Sequence, residues 1–398
     1  MGRHMHLKIA SRKSDLARLQ AYMVGDALKR HHPHLQIEYG FRSSLGDQNQ
    51  DDPLWKMPSQ GVFTQDFRAD LNRGHVDMVI HSWKDLPTQD DGSTSLAATL
   101  KRADHRDLLL IKRDAVETIK ARRSLRLLSS SPRRMYNLPP FLARAFPGGL
   151  DDVSFDLVRG NIQTRLDKLF RSQADGLVVA KAAIDRLGDA RRFNQPGDNF
   201  DCSSDKITAA IKNCQWMVLP ASQNPPAAAQ GALVVEIKPE RQDLAELLGA
   251  VNCQATFNDV MLERANLALY GGGCHQKIGV WVQTRNEGKV FCLRGKTDAG
   301  EELNEFLLHR AGQTPLDMAN AQSPEAENLI AVNSEIAPTR PNNIDSNISW
   351  TANVPQWFEL AGKGIWVNGS DDNLGANEDK MLDFLLNDAR APIGELSS

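Results

Sequence analysis

From residue 6 to about residue 190 the chain repeats one pattern: a short apolar run, then a stretch whose apolar residues recur every three to four positions. Short buried strands that alternate with helices are joined by crossovers rather than tight hairpins, which leads to a largely parallel sheet with helices on both faces. The apolar runs are 7–10, 37–41, 76–80, 125–128, 155–158 and 177–180. Ser14 is placed to cap the first helix, whose inward face reads as Leu16, Leu19, Met23 and Ala27. A helix is expected over 63–72, stopped by Gly74. With 398 residues the chain is too long for one core, and two such units fit, changing over near 101–106. Beyond a Pro/Ala/Asn hinge at 222–229, helices over 244–251 and 257–270 and strands at 279–284, 290–294 and 305–309 make a small α+β unit. The fold class is therefore α/β: two doubly wound domains, a small α+β third domain and a C-terminal extension. The expected boundaries are 6–103 with a return segment at 231–248, 107–224, 250–310, and 311–398.

Composition excludes several function classes. The hydrophobic fraction of 41% and charged fraction of 24% are those of a globular chain, and no apolar run approaches a membrane span. The sequence MGRHMHLK has no apolar signal core, so a cytoplasmic location is expected. None of the 5 cysteines forms a C-x-x-C pair, which fits a reducing compartment and argues against a cysteine-built zinc site. His31, His32 and His34 fall at a predicted helix end and read as solvated, so no metal is expected. The net charge of -3 hides an asymmetry: 13 acidic and 4 basic residues lie from Ala311 onward, leaving the body at +6. A basic body calls for anionic partners.

In an open α/β sheet, ligands sit beyond the carboxyl ends of the strands. Ser11-Arg12-Lys13-Ser14 follows the first run, His81-Ser82-Trp83-Lys84-Asp85 the third, Ser129-Ser130-Ser131-Pro132-Arg133-Arg134 the fourth, and Arg159-Gly160-Asn161 with Thr164 and Arg165 the fifth. Each brings hydroxyls, helix N-terminal amides or guanidinium groups, and each suits an anion. Nucleic acid is disfavoured, because aromatics are only 6% of the chain and do not interleave with the arginines. A cleft for a small polyanion fits better.

Two residues stand apart. Asp85 is an acid among basic groups, open to two readings: a salt bridge to a neighbour, or an acid, base or counter-charge for a cation. Cys274 follows Gly271-Gly272-Gly273 and reads either as a small buried hydrophobe or as a reachable thiol. Cys202, Cys214, Cys253 and Cys292 lack such a setting and read as structural. The polar stretch 46–61, with Pro53 and Pro58, reads either as a disordered loop or as a lid.

Taken in order, these segments resemble the porphobilinogen deaminase family, from about Leu7 to about Thr284. Arg12 and Ser14 with Leu16, Ala17 and Gln20 resemble its first loop and helix, and Gly61-Val62-Phe63-Thr64 its lid end. The stretch His81 to Thr88 is close to its most specific motif. Ser129 to Arg134, Arg159-Gly160-Asn161 with Thr164-Arg165, Gln230-Gly231-Ala232, Glu263-Arg264-Ala265 and Gly272-Gly273-Cys274 complete the series. The resemblance implies binding-protein-like domains. It also implies head-to-tail condensation of four porphobilinogen molecules, with loss of ammonia, to the linear tetrapyrrole hydroxymethylbilane. A dipyrromethane cofactor, held by a thioether at Cys274, is implied with it. By the same resemblance Asp85 is catalytic, assisting ammonia loss and stabilising an azafulvene cation. Lys84, Ser129, Ser131, Arg133, Arg134 and Arg159 would bind cofactor. Arg12, Ser14, Arg165, Arg192 and Phe63 would bind substrate, and Lys56 and Gln60 would belong to the lid. Porphobilinogen is the expected small-molecule partner, with no nucleic acid and no membrane. The next pathway enzyme, uroporphyrinogen-III synthase, is a further candidate partner.

The sequence also departs from the family. A lid lysine is replaced by Gln60, Pro132 replaces the usual leucine before the arginine pair, and Ala229 replaces a glycine. Lys181 puts a charge where a small residue normally approaches the cofactor, and Ala183 and Ala229 add bulk where backbone is close. These changes motivate a second reading, a homologue that binds a tetrapyrrole or another small polyanion without turnover. Beyond Ala311 the resemblance stops. A strand and turn are expected over 357–375 and a helix over 379–386. The tail reads as an extension packed on the third domain, as a self-association surface, or as a partial module related to uroporphyrinogen-III synthase.

Overall fold

The computed structural model describes residues 6–43, 65–89, 91–273, 275–318, 330–332 (backbone only), 348–375 and 381–386. The first lobe contains β1 (His6–Arg12), α1 (Asp15–His31), β2 (Gln36–Arg42), α2 (Gln65–Arg73), β3 (Met78–Ser82) and β4 (Ser95–Ala98). The second contains β5 (Asp107–Lys112), α3 (Val116–Arg122), β6 (Ser124–Leu128), α4 (Pro132–Ala145), β7 (Asp152–Asp156), α5 (Ile162–Arg171), β8 (Gly176–Ala180), α6 (Lys181–Gly188), α7 (Phe200–Lys212) and β9 (Cys214–Val218). The chain then returns through β10 (Leu233–Ile237), α8 (Gln242–Gly249) and α9 (Gln254–Leu269). A meander of β11 (Gly279–Arg285), β12 (Gly288–Lys296), β13 (Glu302–His309) and β14 (Leu316–Asp317) follows. Last come β15 (Ile330–Val332), β16 (Ile348–Thr351), α10 (Val354–Gly362) and β17 (Gly369–Ser370).

The two lobes share one topology. The first sheet runs β2-β1-β3-β10-β4 and the second β7-β6-β8-β5-β9. In the first, β1 is parallel to β2 and β3, while β10 lies antiparallel to β3 and β4. In the second, β6 is parallel to β7 and β8, while β5 lies antiparallel to β8 and β9. Strands β5 and β10 are the ones reached by crossing between lobes, through 99–106 and 219–232. The α/β class with two doubly wound sheets thus holds, with one inserted antiparallel strand in each. The central strands of each sheet are buried on both faces. Leu108 and Leu110 of β5 enter one core of the second lobe, and Leu109 and Ile111 the other. That double burial explains why β5 reads as a continuous apolar run.

Several elements differ from expectation. The run 155–158 is strand only to Asp156, so Val158 and Arg159 lie beyond its end. The third strand ends later than expected, at Ser82, and Trp83–Asp85 form a single 3-10 turn on it. In the tail, Trp357 lies in α10, so the strand and turn expected over 357–375 are confined to β17 and the turn after it, and Asp383 to Leu386 form a turn rather than a helix. The tail packs chiefly on the second lobe and not on the third sheet alone. Trp357 Nε1 donates to the Ala145 carbonyl at 3.1 Å and Trp366 Nε1 to the Trp216 carbonyl at 3.1 Å. Toward the third sheet, Arg285 donates to the Leu374 carbonyl at 2.7 Å.

Candidate active site

The ends of β1 and β3 lie side by side because their strands pair, and this brings Arg12 to Asp85, with an N–O separation of 3.5 Å. Both side chains keep some solvent access, 26% and 35%. Asp85 sits where it does because Trp83, fully buried against Phe257, anchors the 3-10 turn. On the far side of that turn, Arg264 of α9 donates to the Leu86 carbonyl at 3.2 Å and to the Pro87 carbonyl. The acid therefore stands on backbone held from both ends.

The second lobe presents its strand ends to this turn. Ser131 caps α4 and accepts from the Arg134 amide at 3.5 Å, and Asn161 caps α5, accepting from the Thr164 amide at 2.8 Å. Ser14 does the same for α1, taking the Ala17 amide at 3.4 Å. Ser129 is buried, its hydroxyl accepting from the Ser131 amide at 3.3 Å. Arg165 donates to the Gly160 carbonyl at 2.9 Å. Burial, with Arg134 and Arg159 beside it, pulls Arg165 down to about 10, and Asp85 opposes that shift. Burial likewise lowers Lys84, which Asp85 partly offsets and Arg134 and Arg133 reinforce. Lys84 and Asp85 from one lobe thus share a field with Arg133, Arg134, Arg159 and Arg165 from the other. A low-dielectric cleft crowded with like charge favours an anionic ligand.

Not every cation is equally available to such a ligand. Arg133 and Arg134 both grip Asp107: Arg133 Nη2 at 2.9 Å, and Arg134 Nε at 2.9 Å and Nη2 at 2.6 Å. Asp107 is fully buried and also accepts from Asn224 at 2.9 Å and Gln230 at 2.8 Å. Burial alone would raise its pKa, but Arg134 and Arg133 outweigh it and hold the carboxyl far below its usual range. Lys84 donates to Gln230 at 3.2 Å, so one amide links the first lobe's lysine to this cluster. Composition carries no sign of Asp107. A signal is present in the acid that opens the otherwise apolar run 108–111. Arg192 pairs with Asp189 at 2.7 Å and lies over the Phe193 ring.

Gly271, Gly272 and Gly273 all take left-handed φ, at +91°, +62° and +104°. A Cβ on Gly272 would come within 2.2 Å of Thr88 Oγ1, so this turn lies against the segment that follows Asp85. Cys274 itself lies outside the described residues, as do the stretch 46–61, with Lys56 and Gln60, and Phe63. Among the cysteines that are described, Cys214 and Cys292 are buried, and burial pushes Cys214 up to about 12 and holds Cys292 well above the usual thiol range. Lys181 departs from its expected place. Its side chain is fully buried, and its ammonium group meets Asp185 at 2.6 Å and Asp104 at 3.5 Å, so its charge is spent inside the protein. Among the described residues no cluster of His, Cys, Asp and Glu could hold a metal ion. No described helix is long and apolar enough to cross a membrane.

A donor set of Lys84, Arg12, Arg159 and Arg165 with capped helix termini suits a ligand that carries several carboxylates. The comparisons with known proteins agree with it. A family model described as porphobilinogen deaminase, dipyromethane cofactor binding domain, matches residues 7–246. The porphobilinogen deaminase of Clostridium novyi (strain NT) is 28% identical over 304 residues, covering 76% of this chain and 92% of that protein. That of Prochlorococcus marinus (strain NATL2A) is 30% identical over 321 residues, covering 79% and 92%. That of strain AS9601 is 31% identical over 291 residues, covering 73% and 82%.

Proposed function

The chain belongs to the porphobilinogen deaminase family, and on that premise we propose that it is a transferase that joins four porphobilinogen molecules head to tail with release of ammonia. The observation that carries this reading is the position of Asp85: a half-buried acid, paired with Arg12, sharing a field with Lys84 and Arg165 across two lobes. As an acid, Asp85 delivers a proton to the departing ammonia. As a carboxylate, it faces the positive charge that develops on the substrate, an interaction worth several kcal/mol in a partly dry cleft. Arg12 orients that carboxyl. Ser14, Arg159 and Arg165 bind acetate and propionate groups of the incoming pyrrole and of the growing chain. Arg133 and Arg134 shape the cleft from below through Asp107 and contribute to the field seen by cofactor carboxylates.

The residues present fit a dipyrromethane. Cationic groups converge from both lobes, and a three-glycine turn lies against Thr88. When bound, this group supplies the pyrrole end from which the chain extends. Cys274 is the proposed thioether anchor, supported by its place next to that turn. Lys84, Ser129, Ser131 and Arg159 would hold the group's carboxylates. The proposed setting is cytoplasmic tetrapyrrole synthesis leading to haem, with the product passing to uroporphyrinogen-III synthase. Intact mass tests the core of the reading. The isolated protein should weigh two pyrrole units more than its sequence, and it should release ammonia from porphobilinogen. A bare polypeptide mass together with no ammonia release would leave the non-catalytic homologue as the better account.

A further inference from the structure

Helix α6 touches both chain crossings between the lobes. At its start, the Lys181 amide donates to the Arg106 carbonyl at 3.1 Å, and the Lys181 ammonium reaches Asp104 at 3.5 Å. Near its end, Arg186 donates to the Gly231 carbonyl at 2.7 Å. Asp104 in turn accepts from Arg106 at 2.7 and 2.9 Å. Immediately after Arg106 the chain reaches Asp107, which holds Arg133, Arg134 and Gln230.

The C-terminal extension grips the same helix from outside. The Met381 carbonyl accepts from the Lys181 ammonium, and Leu382 and Leu385 are buried in a core with Ile184 and Leu187 of α6. Phe384 fills the space over Gly188, where a Cβ would lie 2.1 Å from its ring. A second part of the extension reaches the first crossing directly, for the Trp350 ring lies 5.6 Å from the Arg106 guanidinium. Trp350 is itself fixed, fully buried and donating to Asp371 at 2.8 Å. The extension thus contacts the hinge at Arg106, and at Asp104 through Lys181. An extension that only covered exposed apolar surface would have no reason to satisfy a buried ammonium group beside the crossing strand.

We propose that the C-terminal extension is a hinge clamp and that Lys181 is its positioning residue, holding segment 103–107 so that Asp107 keeps the arginine pair and Gln230 in place. The effect on turnover rests on the reading of the protein as a deaminase, whereas the effect on the hinge does not.

Three full-length variants test it: Gly188→Ala, Lys181→Met and Lys181→Arg. Gly188→Ala leaves every charge in place and displaces Phe384, so it carries the test if Lys181→Met does not fold. In Gly188→Ala, amide hydrogen exchange at 103–107 and 229–232 should rise about tenfold while β1 and β2 stay unchanged. Well below the melting temperature, kcat should fall about fivefold with KM for porphobilinogen within about twofold. Lys181→Met should do the same, and Lys181→Arg should restore hinge protection. Unchanged exchange at the hinge, or a rise spread evenly over the second lobe with kcat intact, would overturn the proposal. If the unaltered protein has a bare polypeptide mass and releases no ammonia, the deaminase reading falls, and the exchange comparison still decides this one.

Discussion

Asp85 is the one acid among the candidate residues, and its neighbours account for both its place and its use. Trp83 buries the turn, Arg264 holds the carbonyls after it, and Arg12 pairs with the carboxyl at 3.5 Å. Asp85→Asn keeps the shape and one acceptor oxygen but removes the acid and the charge. It should leave the melting temperature within about 2 °C and lower the ammonia-release rate by roughly 10²-fold or more. A near-normal rate would remove Asp85 from the chemistry. The linker glycine allows a second test. Gly231 takes φ +88°, and a Cβ there would lie 2.5 Å from the Ala103 carbonyl oxygen. Gly231→Ala should therefore cost about 2–4 kcal/mol in urea unfolding, the sum of a left-handed backbone and a clash with rigid main chain. Two residues earlier, Ala229 bears φ +67° with its amide held by Glu263 at 2.7 Å. There Ala229→Gly should shift stability by less than about 1 kcal/mol, because the lost burial of one methyl group offsets the relieved strain.

Strand β5 shows what a single element does for the site. Asp107 opens it, and the guanidinium groups of α4 close on that carboxylate, so the strand fixes the helix that carries Arg133 and Arg134. Asp107→Asn leaves two buried cations short of their counter-charge. It should cost about 3–5 kcal/mol, read as a drop in the urea midpoint, and it should reduce catalysis only through that loss of order. The same strand marks the limit of sequence reading. Its apolar run is plain, as are the runs of β1, β3, β6 and β8, because doubly buried strands concentrate Leu, Val and Ile. Strands β4, β9 and β10 do not stand out: β4 has only 4 residues, Gln215 and Glu236 interrupt the apolar runs of the other two, and their partners lie far off in sequence. Local pattern also locates Arg12, Ser14, Lys84, Asp85, Arg159 and Arg165 at strand ends, which the sheet then brings to one cleft. It cannot show that Arg133 and Arg134 share Asp107, nor that Lys181 pairs inside the hinge. Both depend on side chains 26 and 77 residues away meeting in space.

Across the molecule as a whole, buried carboxylates pull stability in opposite directions as pH changes. Asp107 and Asp104 are depressed: burial would raise them, but Arg134 and Arg133 in one case, and Arg106 and Lys181 in the other, prevail. A depressed group favours folding above its unfolded pKa, near 4, and loses that contribution as pH falls further. Asp185 is raised, to about 6, chiefly by burial, with Lys181 opposing. Burial also raises Asp372 and Asp189. For a raised carboxyl the sign reverses: the folded chain binds the extra proton, so stability climbs as pH drops from above 6 toward 4. At neutral pH the penalty from Asp185 is of order 3 kcal/mol at most, since a tenfold change in proton affinity is worth about 1.4 kcal/mol. The two families therefore place the stability maximum between about pH 4 and 6, below neutrality, with a steep loss under pH 4. Urea midpoints measured from pH 3 to pH 8 should trace that curve. Asp185→Asn, which can still accept from Lys181, should flatten the rise between pH 7 and pH 4 and leave the acid collapse unchanged. The same slope in both proteins would mean that Asp185 stays ionised beside Lys181 throughout, and the rise would then belong to Asp372 and Asp189.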